Sequence, residues 1–345
     1  MVKRSRFDEL DQAVSGILLH PDAPLPADAR LAPLARIAAE LTTLPRPDFR
    51  ARLKSELQRG ISMAPSSESM QREATEEETK PAVDPIPQGY HSVTPYIVAA
   101  DADGLIEFLK NTFGAEEKFR AVGSAGGRHA DLRIEDSALM VGGGGAGLAW
   151  KGAPIPNAFH IYVRDCDAVY QRALQQGATS IAAPVDQPYG ERSASVKDAA
   201  GNHWYIATYK GPNYKWEGAP TIQPYMHPLR ADPVIAFLKH AFRAQELGRH
   251  ASPDGVVHHL MLKIGDSFLE MGEAHGPYQP MPAMYYLYVP DCDAVYRQAL
   301  SAGATSLSEP ADQPYGDRNA GVKDPFGNQW YIATHIKDVA PDKNQ

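Results

Sequence analysis

The chain has 345 residues, 43% of them hydrophobic and 22% charged, enough to bury a sizeable core in two or three domains. Its net charge of −8 and the absence of long basic runs argue against nucleic acid or an anionic membrane as partner. Two cysteines, Cys166 and Cys292, make neither a disulfide framework nor a CxxC metal site, which fits a reducing cytoplasm.

The first stretch, "MVKRSRFDELDQAVSGILLH", places Asp8, Glu9 and Asp11 ahead of a short apolar run, the wrong order for a secretory signal. Residues 1–60 carry three short helical patterns, "FDELDQAVSGILLH", "ADARLAPLARIAAELTTL" and "DFRARLKSEL", and no chemistry of their own. This helical N-terminal segment is the part suited to dock a protein partner. Residues 61–88, rich in Ser, Glu and Pro without apolar periodicity, read as a flexible linker.

From residue 93 the pattern changes. "VTPYIVA" reads as a strand, and "DADGLIEFLKNTFGAEE" as a helix capped by Asp101 or Asp103 and stopped by Gly114. Strands "KFRAV", "RHADLRI" and "SALMVG" follow. The pattern then restarts at "FHIYVRD", with a helix at "CDAVYQRALQQG", a strand near "TSIAAP" and a hairpin joining "SASVKD" to "HWYIATY" through Asp198 to Asn202. Each half is βαβββ. The chain then repeats itself at a shift of about 126 to 130 residues: "DCDAVYQRALQQGATS" returns as "DCDAVYRQALSAGATS", and "VKDAAGNHWYIAT" as "VKDPFGNQWYIAT". A period this long is a whole domain copied. The second copy places Asp232 before Pro233 at the start of its first helix, which predicts a firmer cap there.

The runs "TPYIVAADADGLIEFLKNTFGAEE", "RHADLRIEDSALM", "FHIYVRDCDAVYQRALQQGA" and "DQPYGERSASVKDAAGNHWYIAT", with "DQPYGDRNAGVKDPFGNQWYIATH" in the second copy, closely resemble the vicinal-oxygen-chelate (VOC) superfamily. Within it they are most similar to the PhnB-like branch of the glyoxalase, bleomycin-resistance and dioxygenase group. The resemblance implies an α+β fold of two tandem VOC domains, residues 89–212 and 219–337. Each would be a pair of βαβββ modules curling around a cleft with helices outside, and the fused copies would form an intramolecular pseudo-dimer. In metal-using members His, Gln or Glu from the first and last strand of each module points into the cleft. The matching positions are Thr94, Met140, Ala158 and Tyr205 in the first copy and Gln223, Glu270, Met284 and Tyr331 in the second. The first set lacks a strong ligand, and the second offers an amide and a carboxylate from one module alone.

Strand alternation independently sorts the faces. Phe159 and Ile161 form an apolar face, leaving His160 on the other, and the same logic opens Tyr96, His129, Tyr205, Tyr225, His259, Tyr286 and Tyr331 to a cleft. His227 shares a face with Gln223, so Gln223, His227, His259 and Glu270 make a candidate set for a divalent metal in the second domain. The bland alternative is that these imidazoles lie at strand ends or make single hydrogen bonds.

The repeated "DQPYG(E/D)R" loop carries Asp186 and Arg192, or Asp312 and Arg318, which pair across the turn in a structural reading. In a functional reading Arg192 and Arg318 grip a ligand. Cys166 and Cys292, at helix starts with no base near, read as packing residues.

The expected function is small-molecule recognition in a cytoplasmic protein, with the second copy the better binder. The alternatives are a metal-dependent lyase, isomerase or dioxygenase using the second domain, and a non-catalytic interaction module.

Overall fold

The computed structural model describes residues 83–339. The helical patterns expected over residues 1–60, and most of the expected linker, lie outside the described residues. Four βαβββ units follow one another in the chain. The first holds β1 (Val93–Ala99), α1 (Ala102–Phe113), β2 (Glu116–Val122), β3 (Arg128–Ile134) and β4 (Ser137–Gly143). The second holds β5 (Ala158–Tyr162), α2 (Cys166–Gln175), β6 (Thr179–Asp186), β7 (Glu191–Lys197) and β8 (His203–Tyr209). The third holds β9 (Ile222–Met226), α3 (Ala231–Phe242), β10 (Gln245–Ala251), β11 (Val257–Ile264) and β12 (Ser267–Met271). The fourth holds β13 (Met284–Tyr288), α4 (Cys292–Ser301), β14 (Thr305–Asp312), β15 (Asp317–Lys323) and β16 (Gln329–His335).

Local chemistry accounts for the boundaries. Asp101 accepts from the backbone of Gly104 at 2.9 Å to cap α1, and Gly114 ends it in the left-handed conformation, φ 71°. Asp165 and Asp291 cap α2 and α4 in the same way. The firmer cap expected on α3 is not formed. That helix starts at Ala231, whose N–H is taken by the Glu273 carboxylate at 2.9 Å, while Asp232 turns outward to Arg249. The hairpin after β7 closes as expected: the Asp198 carboxylate receives Asn202 N at 2.9 Å, Asn202 Nδ2 at 2.8 Å and Trp204 Nε1 at 2.9 Å. Asp324 repeats the motif with Asn328 and Trp330.

The strands form two eight-stranded sheets, ordered β14-β15-β16-β13-β1-β4-β3-β2 and β10-β11-β12-β9-β5-β8-β7-β6. Each sheet therefore takes one unit from each repeat. The first joins units one and four through antiparallel β1 and β13, with Thr94 opposite Tyr286; the second joins units two and three through β5 and β9, with His160 opposite Gln223. The hydrophobic cores follow the repeats instead. Ile97, Leu109, Leu132, Phe159 and Trp204 belong to one cluster, and Leu238, Leu262, Tyr285 and Trp330 to the other. A cleft wholly within one repeat was the expectation, and the topology corrects it: repeats share cores, but units from different repeats share sheets. The reason is that a unit's open strand edge pairs with any matching edge, and the edges of units one and four, and of two and three, are brought side by side.

The last part of the expected linker and the first residue after it are pinned down. Pro85 O accepts from His335 N at 3.1 Å, and Gly89 O accepts from the Arg133 guanidinium. No helix among the described residues is long and apolar enough to cross a membrane.

Candidate functional site

The face of each sheet turned away from the helices carries the polar and aromatic residues picked out by alternation. On the second sheet, His160 from β5 lies cross-strand from Gln223 on β9 and from Tyr205 on β8. Its Nδ1 donates to Glu270 Oε1 on β12 at 2.8 Å, and its Nε2 lies 3.7 Å from Glu191 Oε2. The other oxygen of Glu270 accepts from His259 Nε2 at 3.0 Å. Glu191 also receives the Tyr162 hydroxyl at 2.9 Å and Trp216 Nε1 at 3.3 Å. Two buried carboxylates thus flank one mostly buried imidazole, and a half-exposed imidazole, His259, sits at the outer end.

The electrostatics favour a charged pair. Burial pushes the Glu270 carboxyl up, but the facing His160 and His259 imidazoles more than reverse this and hold it at about 2. Burial pulls His160 down, and the Glu270 and Glu191 carboxylates outweigh it and raise the imidazole above its usual value. Gln223 is fully buried, yet neither amide atom has a hydrogen-bond partner. Such a group costs about 1–3 kcal/mol and calls for an explanation.

His227 is placed elsewhere. Its Nε2 is hydrogen-bonded to the Tyr205 hydroxyl at 2.6 Å, its ring stacks on Tyr278 at 5.7 Å and lies 4.8 Å from Tyr225, and burial lowers its pKa to about 4. Of the four residues expected to converge on a metal, Glu270 and His259 touch and Gln223 lies beside them, whereas His227 belongs to an aromatic cluster. His160 takes its place. Strand alternation fixed the face correctly, but His227 is four residues along from Gln223, roughly 13 Å at strand rise.

The first sheet gathers Tyr96, His129, Tyr286 and Tyr331 with different chemistry. His129 Nδ1 is hydrogen-bonded to the Tyr96 hydroxyl at 2.9 Å. Asp317 Oδ2 receives the hydroxyls of Tyr286 and Tyr288 at 2.9 and 3.2 Å, and Asp317 Oδ1 receives His335 Nδ1 at 3.0 Å. Glu191 and Asp317 were missed in the sequence, although they are the acidic residue of "DQPYG(E/D)R" in both repeats. The signal was a carboxylate kept after the turn glycine, at the first residue of a strand.

The two arginines each pair with two carboxylates, as the structural reading of the loop expects. Arg192 pairs with Asp186 at 3.1 Å and with Asp167 in the first turn of α2; Arg318 pairs with Asp312 at 2.8 Å and with Asp293 on α4. Cys166 and Cys292 are buried, and burial pushes both thiols up to about 12.

A family model for the Glyoxalase/Bleomycin resistance protein/Dioxygenase superfamily matches residues 230–332. Uncharacterised proteins of Mycobacterium bovis and Mycobacterium tuberculosis are 35% identical over 137 residues, 36% of this chain and 90% and 81% of theirs. The chain belongs to this superfamily. The crystal structure of glyoxalase I from Zea mays shares the fold, with a TM-score of 0.53 and 16% identity over 70% of this chain and 92% of the maize one.

Because units of different repeats share each sheet, the positions that the resemblance matches to metal ligands are regrouped. The second sheet combines Gln223 and Glu270 with Ala158 and Tyr205, and the first combines Thr94 and Met140 with Met284 and Tyr331. Only the second sheet holds an amide and a carboxylate at these positions. An amide oxygen, a carboxylate and two imidazoles are types a divalent first-row metal accepts, and the Gln223 amide has no hydrogen-bond partner. Among the described residues no three His, Cys, Asp or Glu groups already converge as a cation site. An ion held by Gln223, Glu270, His160 and His259 would compete with the protons that now join Glu270 to the two imidazoles.

Proposed function

We propose that the protein is a PhnB-like small-molecule-binding member of the superfamily and that its ligand lies on the open face of the second sheet, between units of both repeats. The observation that carries this reading is Gln223. A fully buried amide with both atoms unpartnered, opposite a charged His160–Glu270 pair, is costly for the fold alone and useful for orienting a polar ligand. The rings of Tyr205, Tyr225 and Tyr278, with 4.9 and 5.6 Å between centroids, supply an apolar wall beside it.

A thermal-shift screen of small polar metabolites, followed by calorimetry, tests the proposal. Compounds that stabilise the wild type should lose affinity in Gln223→Leu and His160→Gln. Equal stabilisation of wild type and Gln223→Leu would sink it.

The donor set favours one second reading, a metal-dependent enzyme on the same face. There Gln223, Glu270, His160 and His259 would hold a divalent ion, which when bound would act as a Lewis acid toward an oxygen of the substrate. His160 would then exchange its proton for the ion, and Tyr205 and Tyr225 would wall the substrate. Metal content of untagged protein beside Glu270→Ala separates the two readings, since only the second expects a near-stoichiometric metal lost in the variant.

A further inference from the structure

The first sheet's open face is already filled, and by the chain itself. Ahead of β1, the segment of residues 84–90 crosses it, held by the Pro85 and Gly89 carbonyls and by a turn in which Tyr90 N donates to Pro87 O at 3.0 Å. Gly89 adopts φ 90°, and a side chain there would strike the Arg133 guanidinium. The turn delivers Tyr90 onto the sheet. Its hydroxyl donates to Asp131 Oδ2 at 2.9 Å, its ring meets Tyr288 edge-on at 5.7 Å, and both pack in one cluster with Met140 and Tyr286. Asp131 Oδ1 is 3.4 Å from His129 Nε2, and His129 is fixed in turn by Tyr96. A preset carboxylate acceptor, an aromatic edge and an apolar floor are what recognition of a phenol requires.

The second sheet provides an internal control. Thr221 N donates to Asp136 and Ile222 N to Ser137, just as Ser92 N donates to Asp266 and Val93 N to Ser267, so the two segments run in register. Gly218, like Gly89, has a positive φ. The turn is therefore common to both, yet Ala219 stands where the first sheet has Tyr90. Met261, opposite Glu270, stands where Asp131 lies opposite Met140. At these two positions ring and acceptor are both present on the first sheet and both absent on the second, where the approach segment instead sends Trp216 to Glu191.

We propose that the first sheet carries a phenol-recognition site which the chain occupies with its own Tyr90, and that residues 84–90 are an exchangeable occupant. A free para-alkyl phenol, or the tyrosine of a separate peptide, binds there when the segment is withdrawn.

The test uses the full chain carrying Tyr90→Gly, titrated calorimetrically with p-cresol and with an acetylated peptide of residues 84–90. Both probes should bind the variant at least tenfold more tightly than the wild type, where Tyr90 competes, and Asp131→Asn in the same background should weaken p-cresol by about tenfold or more. Binding of p-cresol alone would assign a small-molecule source, and peptide binding at least tenfold tighter than p-cresol a peptide source. Silence from both probes in a folded Tyr90→Gly protein would overturn the site. Should that variant not fold, the wild type decides: saturating p-cresol must abolish the nuclear Overhauser contact between Tyr90 and Tyr288, and its persistence overturns the proposal.

Discussion

His160 and Glu270 stand 110 positions apart in the chain, in different repeats, and meet at 2.8 Å as a buried ion pair. The contact exists only because β5 and β12 flank the same strand, β9, in a sheet that the repeats build jointly. Breaking a buried pair by removing one member leaves an uncompensated charge, so Glu270→Ala should cost about 3–5 kcal/mol of stability. Urea denaturation measures it. In Glu270→Gln, imidazole resonances of His160 should titrate at lower pH than in the wild type.

The same pair fixes a pH dependence. The His160 pKa is raised from 6.5, so its contribution is full below that value and is lost as pH rises through the raised one. The Glu270 pKa is depressed from 4.5 to about 2, so its contribution is full above 4.5 and is lost as pH falls toward 2. The difference in melting temperature between wild type and His160→Gln should therefore be greatest between about pH 4.5 and 6.5 and shrink on the alkaline side. A difference that grows with pH would show that His160 is buried neutral.

Gln223→Leu should raise stability while removing ligand binding. Exchanging an unpartnered buried amide for an apolar group of similar size relieves about 1–3 kcal/mol, to be read from the shift in denaturation midpoint at unchanged slope. A destabilised Gln223→Leu would show that the amide serves the fold.

Arg192→Ala and Arg318→Ala should each cost about 1 kcal/mol or less, because the pairs they make are solvent-exposed. Ligand affinity should not change. Asp198→Ala is the contrasting case, since it strands Trp204 Nε1 and two donors of Asn202 in the interior, and should cost on the order of 3 kcal/mol or more.

Much of this molecule was legible before its structure. Apolar alternation in "FHIYV", the cap Asp101, and the Asp198–Asn202 hairpin gave units, faces and turns, because each depends on neighbours a few residues away. The pairing of units was not legible, since alternation tells which face a side chain takes but not whose edge lies alongside. That is why His160 and Glu270 were read in separate clefts. His227 was misplaced for a related reason: a shared face says nothing of distance along the strand. Glu191 and Asp317 were hidden by the turn that precedes them.

The joint sheets also bear on what gene duplication made available. Two identical subunits exchanging units would have to carry the same side chains on both open faces, so any change that improved one would be imposed on the other. Joining the copies end to end removes that bond: units one and four now answer to one face, units two and three to the other. One face could then acquire a charged relay of histidines and glutamates while its twin took in a tyrosine from the segment that leads into it. Specialisation here needed no new fold, only the loss of an enforced equality.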